Sequence, residues 1–513
     1  MIEFELKFQL PRQRRRAVRS FVVGRGAQRS REVQLQAAYF DTPDRLLARH
    51  AIALRLRREG DGWVQTLKGG GGDGTARKEH NVPLDAGLID FAAPQVDPSR
   101  HAGVDIGDCL IDLLAGDSGG ELGCRFRTDV RRTLRELSTR FGKVELAFDE
   151  GFLEAGDRRQ PLCELEIELL SGDPRAVLDV ARRWALRFGL WLDVRSKAER
   201  GDMLARGVDV AQARKAGNVR LDGGASALVS LQTVVADCRA QIFANASQVA
   251  SGLYEAEHVH QLRVGLRRLR TALRLFDSEP DAATIAGRLA EPAARLFRAL
   301  GPARDRAVLA GPLSASIAAA WRDAGQADQL PQWTSRPLPA APAALLRDPE
   351  NQLLLLDLIE VGLPAQPATD RQAKKLPKQR RTTDLLARRL SKWHAAVLRD
   401  AAAFEQLDDA GRHRLRKRLK RLVYGAGFAS RLFKRKPMRR LMASLKPLQE
   451  CLGELNDLAG GRDAIAGTNG IDWFAIGWMS ARRQALLAEI ASLLQQVDTR
   501  QRLWKRRSKA GRR

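Results

Sequence analysis

The chain opens on Glu3-Phe4-Glu5-Leu6-Lys7. In an extended strand successive side chains point to opposite faces. Glu3, Glu5 and Lys7 then share one face, while Ile2, Phe4, Leu6 and Phe8 share the other and can pack on a core. Carboxylate oxygens suit Mg²⁺ or Mn²⁺, and an ammonium suits a phosphate oxygen. The face therefore fits a divalent cation that carries phosphates. Five residues of this kind also describe the wet face of any amphipathic strand, so the rest of the chain decides.

Residues 1–205 read as short strands joined by Gly/Asp-rich turns. Strands are expected at Gln34–Tyr39, Ala51–Arg58, Trp63–Lys68, Arg77–Val82, Arg125–Arg127, Lys143–Phe148 and Leu162–Leu169, with helices near Pro11–Phe21, Gly103–Ala115 and Pro174–Phe188. Charges recur at i, i+2 spacing. Glu164, Glu166 and Glu168 lie on one face of a late strand, and basic residues sit on the strands between the two acidic ones. A sheet that closes into a barrel would turn these faces into its lumen. There, carboxylates at one site and Arg/Lys elsewhere would hold a metal–polyphosphate chelate. Gly69–Gly74 lacks the spacing of a phosphate-cradling loop and reads as a hairpin loop. His50, His80 and His101 share no ligand spacing, and Arg131 and Arg132 are either surface or tunnel charges.

The opening Glu3-x-Glu5-x-Lys7 resembles the signature of the CYTH family, the triphosphate tunnel metalloenzymes. Further elements match in order: Arg55-x-Arg57, Lys68, Arg77 with Glu79, Arg125 with Arg127, Glu145 with Asp149, Glu164-x-Glu166-x-Glu168 and Ser196-Lys197. The resemblance implies an eight-stranded antiparallel barrel around a charged tunnel that acts on triphosphates with Mg²⁺ or Mn²⁺. It implies catalytic roles for Glu3, Glu5, Lys7, Arg55, Arg57 and Lys68, and metal binding by Glu3, Glu5, Glu164 and Glu166, with Glu168 ranked below them. Arg77, Glu79, Arg125, Arg127 and Lys197 would contact the substrate.

From Ala225 onward the periodicity is helical. His260, Arg263, Arg267, Arg270 and Arg274 fall on one helix face beside Leu262, Leu266, Leu269 and Leu273. His413, Arg416, Lys417, Lys420 and Arg421 repeat the pattern. Leu300-Gly301-Pro302-Ala303-Arg304-Asp305 follows the first copy, and Leu452-Gly453-Glu454-Leu455-Asn456-Asp457 follows the second at nearly the same distance, which argues for internal duplication. A Pro-rich stretch, about Leu330–Arg380, reads as a long connection between two pseudo-symmetric bundles. This half resembles the CHAD domain, whose members bind inorganic polyphosphate through a basic cavity. That resemblance implies polyphosphate binding by the ten His, Arg and Lys residues of the two stripes, from His260 to Arg274 and from His413 to Arg421. Ala307 stands where the family pattern has a second acidic residue, so no role is carried to that position.

The expected architecture is an α+β multidomain chain: a tunnel barrel over 1–205, a linker over 206–224, an all-α domain over 225–500 and a basic tail over 501–513. Residues 1–210 carry 35 Lys+Arg against 33 Asp+Glu, and the remainder 52 against 28, so nearly all of the net charge of +26 lies in the second half. Such a field points to a polyanionic partner. Aromatics make up 6%, and no helix-turn-helix or zinc pattern appears, so nucleic acid is not expected as a specific partner. Cys109, Cys124, Cys163, Cys238 and Cys451 form no CxxC pair, and no apolar run is long enough to span a bilayer. A cytoplasmic location is expected, with association with polyphosphate granules. The expected activity is hydrolysis of inorganic triphosphate. Thiamine triphosphatase or adenylate cyclase chemistry in the same barrel, or a non-catalytic polyphosphate-binding module, are the alternatives.

Overall fold

Alternation of apolar and charged residues builds the N-terminal sheet. The computed structural model describes residues 2–24, 30–60, 62–69, 76–85, 94–116, 120–334, 337–364, 381–497 and 504. Its strands are β1 (Ile2–Gln9), β2 (Arg31–Asp41), β3 (Ile52–Glu59), β4 (Gly62–Gly69), β5 (Ala76–Leu84), β6 (Gly123–Thr139), β7 (Gly142–Ala155), β8 (Arg158–Gly172) and β9 (Trp191–Leu192). They pair antiparallel in the order β5-β4-β3-β2-β6-β7-β8-β1-β9. β1 meets β8 through Glu5–Gln9 and meets β5 through Ile2–Phe4 against Ala76–Lys78, so the first eight strands run around a tunnel-like lumen. The short β9, absent from the sequence reading, pairs with the far end of β1. The single strand expected around Arg125–Arg127 is a 17-residue ribbon.

The sheet turns its charge inward. Leu54 and Leu67 are buried with Leu47, Ile52 and Leu110, and Ile106, Leu113 and Leu114 pack on that cluster. The last three belong to helix α3 (Asp105–Ala115), which follows α1 (Arg15–Val23) and α2 (Leu46–Arg49). α4 (Arg175–Phe188) buries Val177, Leu178, Ala181, Trp184 and Phe188. With these helices covering the outer apolar face, the alternate residues Arg55, Arg57 and Lys68 are left to the lumen.

Helix α5 (Lys197–Ala205) packs against the inner side of the sheet. Its Ala198, Leu204 and Ala205 lie on a buried cluster of Ala37, Tyr39, Phe126 and Ala155. Ser196 is its N-cap in a reciprocal capping box with Glu199, which sets Lys197 at the first helical position. Arg45 clamps the helix through Asp202 at 2.7 and 2.8 Å.

The remaining helices are α6 (Ala227–Ser251), α7 (Ala256–Phe276), α8 (Pro280–Ala299), α9 (Gly301–Val308), α10 (Ser314–Asp323), α11 (Pro342–Arg347), α12 (Pro349–Glu360), α13 (Thr382–Ala402), α14 (Asp409–Ala429), α15 (Arg435–Ala464) and α16 (Gly470–Gln495). The stretch read as a long connection contains α11 and α12. Their period was hidden because α12 buries Leu354, Leu355, Leu356, Leu358 and Ile359 on more than one side, leaving no amphipathic stripe. The duplicated basic segments are α7 and α14, and the leucines beside them, Leu262, Leu266, Leu269, Leu415, Leu419 and Leu422, are fully buried. One difference separates the repeats. Pro302 at the start of α9 interrupts the first, whereas Glu454 lets α15 continue unbroken.

The chain forms two compact units. One comprises 1–214, 239–258 and 343–363; the other comprises 215–238, 259–342 and 364–513. Segments from the helical half thus belong to the unit that holds the sheet. In that unit Arg182 of α4 donates to Asp357 and Glu360 of α12 at 2.7 and 2.6 Å. Most of the Gly69–Gly74 loop and all of the 501–513 tail except Trp504 lie outside the described residues.

Gly201 lets α5 lie close against the sheet. A Cβ there would sit 2.1 Å from the Phe126 ring. Gly201→Ala is expected to displace α5 and destabilise the protein by about 1–3 kcal/mol, in the range of overpacked cores. A lowered denaturant midpoint in equilibrium unfolding checks this, and an unchanged midpoint would refute the tight packing.

Candidate functional site

Among the described residues, the tunnel cavity, about 190 Å³, is lined by six cations and five carboxylates: Lys7, Arg55, Arg57, Lys68, Arg132 and Lys197, with Glu5, Glu79, Asp149, Glu166 and Glu168. Strand alternation places most of them. Glu5 and Lys7 leave β1 on the same face, and Glu5 lies directly opposite Glu168 in the β1–β8 register. Asp149 on β7 lies opposite both Arg132 on β6 and Glu164 on β8.

The Lys197 ammonium sits 2.8 Å from Asp149 Oδ2, 2.5 Å from Glu164 Oε1 and 2.7 Å from Glu166 Oε1. Arg132 donates to both Asp149 oxygens at 2.7 Å and also to Glu166. Arg200, one turn along α5 from Lys197, reaches Glu164. Burial alone would discharge these groups. For Lys197 the three carboxylates outweigh burial and hold its pKa above the usual lysine range. For Glu166 burial is outweighed by Lys197 and Arg132, which hold the carboxyl well below its usual range. Glu164 is also shifted down, against burial, by Arg200 and Lys197. Along the rest of the wall Lys68 meets Glu79 at 2.5 Å, and Arg55 lies 3.9 Å from the same residue. Burial and the adjacent Arg55 push Arg57 down to about 10. Burial likewise lowers Lys7, whose ammonium donates to the Arg195 carbonyl.

Of the residues singled out in the sequence, Glu5, Lys7, Arg55, Arg57, Lys68, Glu79, Glu166 and Lys197 meet in this cavity, together with the lower-ranked Glu168. Glu164 lies fully buried behind them. Arg125 is exposed and lines an adjoining cavity of about 280 Å³ that also contains Tyr39 and Lys68. Arg127 lines neither cavity. On β6 it is Thr128, Val130 and Arg132 that face the lumen, and Arg127 has the opposite parity. Glu3 and Arg77 pair through their backbones across β1 and β5, while their side chains lie outside the described residues. In the sequence alone Arg132 is either a surface or a tunnel charge, and Asp149, Thr128, Tyr39 and Arg200 have no site role. The spacing of Asp149 from Glu145 was the available signal, but only the register joins it to Glu164 and Glu166. Oxygens of Asp149, Glu164 and Glu166 all lie within 4.8 Å of one another. An all-oxygen donor set of this kind fits a hard divalent cation.

In the helical unit the basic stripes of α7 and α14 act on one another. Arg263, Arg267 and Arg270 stand 4.6, 5.1 and 5.2 Å from the centre of the Phe297 ring. Burial, resisted by Asp305 and aided by Arg267, Arg304 and Arg416, lowers Arg263 to about 10. Lys420 falls further, to about 6, through burial and then Arg267 and Arg416, with Asp457 opposing. Arg274 and Arg270 likewise depress Arg421 after burial. Arg274, His413 and Lys417 are exposed at the periphery. Each histidine meets the corresponding position of its own repeat: Arg304 Nε donates to His260 Nδ1 at 2.9 Å, and His413 Nδ1 lies 3.1 Å from Asn456 Oδ1. No helix among the described residues is long and apolar enough to cross a membrane.

Comparison with known proteins identifies both domains. An inorganic triphosphatase of Haemophilus influenzae is 31% identical over 169 residues, which cover 32% of this chain and 44% of that protein. The chain therefore spans less than half the length of this relative. Among solved structures, the CHAD domain from the plant Ricinus communis is 26% identical, with a TM-score of 0.41, covering 55% of this chain and 96% of that one. A Hippeastrum protein studied as an adenylyl cyclase, and described as having a dominant triphosphatase activity, is 23% identical with a TM-score of 0.31, covering 40% and 96%. Residues 1–201 match the CYTH domain and residues 233–466 the CHAD domain, so the chain carries a CYTH domain followed by a CHAD domain.

Proposed function

We propose that the tunnel hydrolyses inorganic triphosphate with Mg²⁺ or Mn²⁺, and that the helical unit binds inorganic polyphosphate. The observation that carries the first reading is the lumen itself: six cations around a small cavity with three acidic side chains converging at one wall. A linear triphosphate carries several negative charges on closely spaced oxygens. Lys7, Arg55, Arg57, Lys68 and Arg132 would take those oxygens by charge-assisted hydrogen bonds, which strengthen as charge builds on the transferring and leaving groups. Glu5, Asp149, Glu166 and Glu168, with Glu164 behind, would hold the metal, while Glu3 belongs to the same proposal through its place on β1. When bound, the metal would neutralise phosphate charge and lower the pKa of water. Arg77 and Arg125 stay as proposed contacts of the substrate's outer part, Arg125 through the adjoining cavity, whereas Arg127, turned from both cavities, is given no contact. Lys197 would pass between carboxylates and phosphate as the substrate enters.

The second reading rests on the unbalanced charge of α7 and α14. Among the described residues, the carboxylates that act most strongly on half-buried Arg263, Arg416 and Lys420 are Asp305 and Asp457, while Arg267 adds positive charge beside all three. A flexible polyanion would supply the missing negative charge.

Phosphate release from tripolyphosphate, thiamine triphosphate and ATP, with and without chelator, tests the first reading. Tripolyphosphate is expected to be preferred. Excess EDTA should abolish turnover, and Glu166→Gln should lower kcat at least about 10²-fold, the scale for loss of a preorganised charged group. Full activity in EDTA would overturn the metal assignment. For the helical unit, replacing Arg263, Arg267, Arg416 and Lys420 with Glu should abolish binding of long-chain polyphosphate while circular dichroism stays unchanged, because the buried leucines are untouched. The affinity should also depend on pH. Lys420, lowered to about 6, is largely neutral at pH 8 without a ligand, and phosphate favours its charged form, so affinity should rise as pH falls from 8 towards 6. Lys420→Arg should flatten that rise. A steeper or equal pH dependence in Lys420→Arg would assign it elsewhere.

A further inference from the structure

A strand at the edge of a sheet leaves every other N–H without a ladder partner, and a buried one must be satisfied by other means. β9 and the residues after it present this problem. On one side they join β1: Phe8 pairs with Leu192, and Asp193 N donates to the Lys7 carbonyl at 2.9 Å. On the other side the alternate amides find side chains from the helical half. Leu192 N donates to Gln352 Oε1 of α12 at 2.7 Å, and Val194 N donates to Ser247 Oγ of α6 at 3.0 Å. Gln352 and Ser247 are 1% and 2% exposed. Gln352 is itself fixed, because its Nε2 donates to the Leu346 carbonyl at 2.5 Å.

The segment so held carries two tunnel features. The Arg195 carbonyl accepts the Lys7 ammonium, and the next residues are the Ser196 cap and Lys197. Asp193 locks the intervening Arg195 side chain by paired contacts at 2.9 and 2.8 Å.

We infer that Ser247 and Gln352, remote in sequence and placed within the CHAD match, are positioning residues of the tunnel, holding segment 191–196 so that Lys7 and Lys197 point at the phosphate chain. The inference rests on the triphosphate reading of the tunnel. It implies that the CYTH match alone is an incomplete tunnel, because one buried amide, Leu192, and one half-buried amide, Val194, are satisfied from outside it.

The test uses the full chain. Ser247→Ala and Gln352→Ala each remove one acceptor, and Ser247→Thr keeps one. The expected result in both alanine variants is a KM for tripolyphosphate raised about tenfold, with kcat per folded enzyme within about threefold, since a small misplacement of binding groups is costly. Ser247→Thr should return KM towards the wild-type value. Titration calorimetry with tripolyphosphate in the absence of metal should show the same weakening. A purely structural role would lower the folded fraction, and so the apparent kcat, at unchanged KM; that outcome, or wild-type KM and affinity in both alanine variants, overturns the inference while leaving the triphosphatase reading standing. A wild type that binds tripolyphosphate without hydrolysing it overturns the enzymatic reading, while the affinity comparison still decides the roles of Ser247 and Gln352. Amide exchange needs no variant: Leu192 and Val194 should be strongly protected in the wild type, and exchange there as fast as at solvent-facing amides also overturns the inference.

Discussion

The arrangement of the first unit depends on one ammonium among three carboxylates. Asp149 and Glu164 are fully buried, and Lys197 is the cation they share with Glu166. A buried carboxylate without a partner protonates or unfolds its surroundings, and removing one partner of such a cluster typically costs about 3–5 kcal/mol. Lys197, Arg132 and Arg200 therefore join β6, β7, β8 and α5 into one charge-balanced network. The capping box at Ser196 and the close approach at Gly201 serve that network, because they fix where the ammonium stands.

Charge balance also separates the two units chemically. Among the described residues the tunnel nearly neutralises itself, six cations against five carboxylates, so it can hold a highly charged but small ligand with little unpaired charge when empty. The α7 and α14 faces do not neutralise themselves. Their strain shows in the lowered proton affinities of Arg263, Arg416 and Lys420, all driven first by burial and then by like neighbours. A self-compensated lumen suits turnover, since release of a product is not opposed by bare charge. An uncompensated face suits retention of a long polyanion.

Much of this was legible in the chain. The period-two alternation of Glu5 with Lys7 and of Arg55 with Arg57 correctly placed those residues on a common inner surface, because strand geometry is local. The repeat of His260 at His413 with matched downstream motifs identified the duplicated helices, because helix periodicity is local too. The helices at 342–360 escaped notice because a helix buried on several sides shows no amphipathic stripe.

Local spacing settles which residues share a face within one element. Which faces meet was decided by tertiary structure. Alternation within β6 puts Arg127 and Arg132 on opposite faces, but only the pairing of β6 with β7 sets Arg132 opposite Asp149 and so decides which of those faces looks into the lumen. Asp149, Glu164 and Glu166 become one acidic cluster only when β7 and β8 pair. Gln352 and Ser247 carry no local mark of their role, because the need they meet belongs to the unpaired amides of a strand far away in sequence, and it arises only once that strand is buried.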